Sequence, residues 1–238
     1  MESILYAVGD VHGRADLLDQ LHGHIRSHHE VQHPNRPGEI VYLGDYIDRG
    51  ADSVGVIDRL MSGMDGFQTT CLMGNHEAML LECLATDDRR VWSTWLANGG
   101  DVTVASLGLS LRFGRPDPEK LRAALGAERV SWLKALPYHR QVEPYLFVHA
   151  GIAPGVPLEQ QYPEDLLWIR SRFLESDADH GYLVVHGHTP GVEPVVRQNR
   201  ICVDTGATFS GVLTAAVLDG KSPPLFLRAV GRPGWPGR

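Results

Sequence analysis

The chain has little of what would staple, anchor or spread a protein. Its 238 residues include three cysteines, Cys71, Cys83 and Cys202, scattered and with no C-x-x-C pair. That excludes a disulfide framework and a structural zinc knuckle, and reduced, mostly buried thiols are expected. Long apolar runs are missing too: stretches such as Ile40 to Leu43 fall far short of the ~20 residues a membrane helix needs. No membrane partner is expected. Met1-Glu2-Ser3 leads straight into a strand-like segment, with no basic leader or small-residue cleavage site, so a cytoplasmic protein is expected. Positive charge is in deficit, 22 basic against 29 acidic side chains for a formal −7. With no dense Lys/Arg run, nonspecific nucleic-acid binding is excluded as the main task. Internal repeats and low-complexity segments are also absent.

What is present suits one folded unit. A chain that is 43% hydrophobic and 21% charged is neither disordered nor membranous, and this length supports a core without staples. Apolar runs of four to seven residues alternate with stretches of helical period, the mark of an α/β fold. Strands are expected at 3–8, 39–43 and 67–73, each running out into glycine followed by a polar side chain: Gly9-Asp10, Gly44-Asp45 and Gly74-Asn75. Helices are expected at 14–28 and 53–61. Residues 77–136 read as a helical flank, with Asp117 as an N-cap before Pro118. Short β-rich runs return at 145–148, 182–185, 201–203, 213–218 and 225–227, consistent with a second sheet packed on the first. A single domain over 1–230 is expected, with a loosely ordered tail at 231–238.

Chemistry concentrates at the strand ends, where open α/β sheets place their ligands. Five pieces stand out: Gly-Asp-Val-His-Gly at 9–13, Gly-Asp-Tyr-Ile-Asp-Arg-Gly at 44–50, Gly-Asn-His-Glu at 74–77, His-Ala-Gly at 149–151 and His-Gly-His-Thr-Pro at 186–190. One Asp beside a Gly is a turn; five such pieces in one order are a constellation. Mixed Asp, His and Asn donors suit manganese, iron or zinc better than magnesium or calcium. Two divalent ions about 4 Å apart need a shared anion, and Asp45 is the natural bridge. Asp10 and His12 can hold one ion with it; Asn75, His149 and a histidine of the 186–188 pair can complete the second. By contrast, His22, His24, His28 and His29 read as a solvated helix face, and Trp92, Trp95 and Trp132 as core packing.

These pieces resemble the calcineurin-like metallophosphoesterase superfamily, and the Gly-Asp-x-x-Asp-Arg-Gly block resembles its phosphoprotein phosphatase branch. Trp95-Leu96-Ala97-Asn98-Gly99-Gly100, Trp168-Ile169-Arg170 and Asp204-Thr205-Gly206-Ala207 are similar to small bacteriophage and bacterial members, including symmetrical diadenosine tetraphosphatases. The resemblance runs from residue 4 to about 218. It implies a two-sheet β-sandwich flanked by helices, with two divalent ions, manganese first and iron or zinc as alternatives. It selects His188 as the ligand and leaves His186 as a flanking residue. It also implies that a bridging water of lowered pKa attacks phosphorus in line, that His76 protonates the leaving oxygen with Asp48 behind it, and that Arg49, Arg170 and Asn75 grip phosphate. The implied substrate is a phosphorylated protein or small phosphoester, with phosphoserine and phosphothreonine favoured. A dinucleoside polyphosphate hydrolase is the alternative, and an inactive metal-binding scaffold the remoter one. No feature specifies an oligomeric state.

Overall fold

Ile4–Val8, here β1, is buried at all five positions, and a strand without a polar face must be covered on both sides. Its alternation decides what covers it: Ile4, Tyr6 and Val8 meet helices, while Leu5 and Ala7 meet another sheet. The computed structural model describes residues 3–234. Further strands follow as β2 (Gly38–Tyr42), β3 (Phe67–Cys71), β4 (His139–Val142), β5 (Tyr145–Val148), β6 (Leu183–His186), β7 (Val195–Val196), β8 (Arg200–Cys202), β9 (Val212–Leu218) and β10 (Leu225–Val230). They form two five-stranded sheets, in the orders β10-β9-β1-β2-β3 and β4-β5-β6-β8-β7. Strands β1, β2 and β3 run parallel, as do β5, β6 and β8. Between the sheets lie Leu5, Ala7, Val41 and Leu43 from one side and Phe147, Val185 and Ile201 from the other.

Helices cover the outer faces. Across the first sheet lie α1 (Ala15–Gln32), α2 (Ser53–Ser62) and the flank, made of α3 (Asn75–Ala85), α4 (Arg89–Trp95), α5 (Asp101–Ser106), α6 (Pro118–Leu125) and α7 (Ala127–Lys134). Leu166, Ile169 and Phe173, from α8 (Pro163–Trp168), α9 (Ser171–Leu174) and the turn between them, cover Leu146, Val148 and Val184 of the second sheet. A last short helix, α10 (Ala207–Ser210), precedes β9. Asp117 caps α6 as expected, accepting from the N–H groups of Glu119 and Lys120.

Three differences from the sequence reading have physical causes. The flank leaves the helix between α5 and α6, where Gly108 and Gly114 have positive φ and Pro116 follows. Strands β4 and β7 gave no signal because one alternates polar side chains at an edge and the other has two residues. Of the α1 histidines, His24 is exposed as expected, but His22, His28 and His29 are half-buried. His22 Nε2 lies 2.8 Å from the Tyr42 hydroxyl, and His28 and His29 each place Nδ1 3.1 Å from that of Tyr6. Tyrosines on the outer face of β1 and β2 are covered by α1, and a buried hydroxyl needs a partner. Of the tail, Gly231 N–H donates to the Gly211 carbonyl and Gly234 N–H to that of Thr208; residues 235–238 lie outside the described residues. Among the described residues no helix is long and apolar enough to cross a membrane.

Phe147, fully buried between the sheets, should cost about 3–5 kcal/mol when cut to alanine, a transfer loss plus a cavity. Urea unfolding of Phe147→Ala measures it.

Candidate metal centre

Parallel strands deliver their C-terminal ends to one rim, and the loops leaving them interlock. Val11 and His12 donate their N–H groups to the Asp45 carbonyl at 3.0 and 2.8 Å, and Gly13 donates to that of Tyr46 at 2.7 Å. The approach is too close for a side chain: a Cβ on Gly50 would stand 2.0 Å from the His12 carbonyl oxygen. Six non-glycine residues among those described have positive φ, and five belong to the sequence-derived site: His12 (46°), Asp45 (54°), Asp48 (71°), Arg49 (66°) and His188 (64°). Such conformations cost on the order of 1–3 kcal/mol each and persist where surrounding contacts overdetermine them.

Donor atoms converge in two groups that share Asp45. His12, Asp45 and His76 form one, and Asp45, His149 and His188 the other, with the offered atoms of each within 4.8 Å of one another. His12 donates Nδ1–H to the Ile47 carbonyl at 2.8 Å, which turns Nε2 to within 3.5 Å of Asp45 Oδ2. His149 donates Nδ1–H to the Leu43 carbonyl at 2.8 Å, leaving Nε2 3.4 Å from Asp45 Oδ1. That Nε2 is also 2.8 Å from Asn75 Oδ1, with His188 Nδ1 2.9 Å from the same oxygen. With its proton committed to Leu43, neutral His149 faces Asn75 lone pair to lone pair, a contact that a cation between them reconciles. Carbonyl partners on the far ring nitrogens are what orient ligand histidines. Asp10 stands outside both groups; its carboxylate accepts the His188 N–H at 3.2 and 3.1 Å.

The charge balance suits divalent ions. Burial, then the neighbouring carboxylates of Asp204 and Asp45, push Asp10 well above the usual carboxylate range. Burial also opposes the charge of Asp45, but His149, His76, His12 and His188 around it outweigh that and hold it far below its usual value. Burial leads in lowering His12, His149 and His188, keeping them neutral, the form in which imidazole binds a metal. The donor set therefore fits two borderline divalent cations.

Within the first group, His76 donates Nδ1–H to Asp48 Oδ2 at 2.7 Å, with both side chains buried. Its Nε2 stays 3.8 Å from Asp45 Oδ2. Burial opposes its protonation, but Asp45 and Asp48 outweigh that and raise it above the usual histidine value. Arg49 places Nη1 2.6 Å from His12 Nε2 and its guanidinium 5.6 Å from the Phe209 ring. Arg170 is exposed just ahead of α9, near enough for its charge to help lower His149 and His188. His186, read as a flanking residue, is fully buried. It ends β6 and turns its ring edge-on to Phe173 at 5.2 Å, because the strand alternation that sends Val185 inward sends His186 under α9.

Several partners were missed from sequence. Glu77 accepts the N–H groups of Asp45 (2.9 Å), Tyr46 (2.8 Å), Ile47 (3.3 Å) and Gly74 (3.1 Å). Its presence inside Gly-Asn-His-Glu was a usable signal, an acid that no ligand role required. Asp204, buried beside Asp10, had only its short motif. Trp95 and Thr103, which both bond Asp48, lie 47 and 55 positions away; Trp95 opened a quoted piece but was read as core packing, and Thr103 had no signal.

Glu77→Ala would strand four buried N–H groups, at about 1–3 kcal/mol for each that water cannot reach. A loss of at least about 3 kcal/mol in urea unfolding and weakened retention of added manganese in equilibrium dialysis are expected.

Comparisons with known proteins agree with this geometry. Residues 5–211 match the model of the calcineurin-like phosphoesterase family. The chain is 30% identical over 224 residues to serine/threonine-protein phosphatase 1 of Salmonella typhimurium, covering 89% of this chain and 90% of that one. It is 26% identical over 231 residues to the asymmetrical bis(5'-nucleosyl)-tetraphosphatase PrpE of Anoxybacillus flavithermus, covering 87% of each. Among solved structures, a candidate diadenosine tetraphosphatase superposes with a TM-score of 0.65 at 19% identity, over 99% of this chain and 95% of that one, a likeness of fold. With its two sheets, its paired donor groups and a family match spanning most of its length, the chain belongs to the calcineurin-like phosphoesterases and is a phosphatase of the hydrolase class.

Proposed function

We propose that the protein is a divalent-metal-dependent phosphomonoesterase that acts on phosphoserine and phosphothreonine side chains with broad specificity. The observation that carries this reading is one buried carboxylate, Asp45, common to two donor groups, with the buried His76–Asp48 pair alongside. His12 and Asp45 of the first group would hold one ion together with Asp10, which lies near enough to feel the charge of Asp45, while His76 of that group is kept for proton transfer; Asp45, Asn75, His149 and His188 would hold the other ion, manganese being the first choice and iron or zinc alternatives. When bound, the cations supply Lewis-acid polarisation of phosphoryl oxygens and a water of lowered pKa. The chain's own groups do the rest. Arg49 and Arg170 orient the phosphate through forked donors that match its oxygens, with Asn75 as a further contact. His76 delivers a proton from Nε2 to the leaving oxygen, and Asp48 steadies the ring through Nδ1–H and compensates its charge.

The phosphoprotein reading is supported by the 30% identity to a serine/threonine-protein phosphatase. A second reading, hydrolysis of dinucleoside polyphosphates, is favoured by relatives named as tetraphosphatases. Both reactions would use the same donor groups and differ in how the rest of the substrate is held.

With manganese added, kcat/KM for a phosphoserine peptide should exceed that for diadenosine tetraphosphate; a tenfold preference for the dinucleotide would replace the first reading with the second. His76→Asn should slow an alkyl phosphate by about 10²–10⁴-fold and p-nitrophenyl phosphate far less, because a basic leaving oxygen depends most on an acid. Equal losses would remove His76 from that role.

A further inference from the structure

Two side chains of the helical flank, Trp95 at the start of the Trp95–Gly100 piece and Thr103 beyond it, hold the carboxylate behind His76. Asp48 Oδ2, which takes the His76 Nδ1–H, also takes the Trp95 indole N–H at 2.8 Å. Asp48 Oδ1 takes the Thr103 hydroxyl at 2.7 Å. The backbone N–H of Asp48 points at the oxygens of Ser53 and Thr103, at 3.0 and 3.1 Å. Asp48, Ser53 and Thr103 are fully buried, as is the Trp95 ring, so no water competes for these bonds.

The path of the chain makes this convergence possible. In a regular α-helix, residues eight apart are separated by about 12 Å along the axis, too far for both to converge readily on one carboxylate. Between α4 and α5 the helix breaks at a kink over Leu96–Gly100, where Gly99 has φ 105°. The same kink takes hold of the next residue: Gly99 O accepts the Arg49 N–H at 3.2 Å, and Asn98 O accepts Arg49 Nε at 3.3 Å. The kink and the residues that flank it thus bond two adjacent residues, Asp48 and Arg49, that both sit at positive φ.

We propose that Trp95 and Thr103 are positioning residues for leaving-group protonation, acting through Asp48. Resting on the assignment of His76 as the acid, the inference adds what aims it. Fixing both Asp48 oxygens fixes the imidazole plane, and hence where Nε2 points.

The test uses Trp95→Phe, which keeps ring bulk without the N–H, and Thr103→Val, which keeps shape without the hydroxyl, with Thr103→Ser as the conservative variant. For each, kcat and KM are measured on p-nitrophenyl phosphate and on an alkyl phosphate, together with bound manganese by elemental analysis. Expected is a fall in kcat at least tenfold larger for the alkyl phosphate, with KM within about twofold, two ions retained and the fall largely recovered in Thr103→Ser. Equal falls on both substrates, a change confined to KM, or lost manganese in both variants would overturn the proposal. His76→Asn separates the two levels. If it discriminates between substrates while Trp95→Phe and Thr103→Val do not, only the positioning role fails; if it does not discriminate, the assignment of His76 fails and this one with it.

Discussion

The arrangement turns on a single buried carboxylate. Asp45 lies on a left-handed turn with almost no exposure and four imidazoles around it. An isolated charge in such a place is costly. It is tolerated here because its neighbours satisfy it: the His76 N–H donates to its Oδ1 at 3.0 Å, and its own N–H is taken by Glu77. The two donor groups meet only because each includes this residue. Loop geometry, the buried acid at position 77 and the parallel strand ends all serve to keep one carboxylate where two cations can share it.

Strain is concentrated around that point and offset beside it. Five site residues at positive φ represent several kcal/mol of unfavourable backbone conformation. Against this stand the Glu77 bonds to four N–H groups and the Asp48 bonds to indole, hydroxyl and imidazole, which keep these buried polar groups paired. The helical flank accordingly does two jobs. Its apolar side packs on the outer face of the first sheet, and the kink between α4 and α5 brings hydrogen-bond partners to Asp48 and Arg49.

Much of the site was legible because a ligand set must be local in sequence wherever it leaves a strand. Asp10 with His12, Asp45 with Asp48 and Arg49, and Asn75 with His76 each come from one turn, so their spacing records the turn that presents them. The three strands before them were legible for the same reason, as apolar runs ended by glycine. What failed to show was contact between distant segments. Nothing near Trp95 or Thr103 marks them as partners of Asp48, and an indole in an apolar stretch reads as core, which it also is. The α1 histidines looked solvated because the helix pattern cannot say that Tyr6 and Tyr42 lie beneath them.

By itself, then, the sequence determined the α/β class, the strand-end placement of the chemistry and the identity of most donor side chains, since these follow from short-range periodicity and turn chemistry. Only the tertiary structure decided that Asp45 is common to both groups, that His186 turns inward beneath α9, and that Glu77, Trp95 and Thr103 bond the loops and side chains of the site. Those outcomes depend on which loops touch when two sheets close on each other. Such contacts are set by packing across tens of residues and leave no local pattern in the chain.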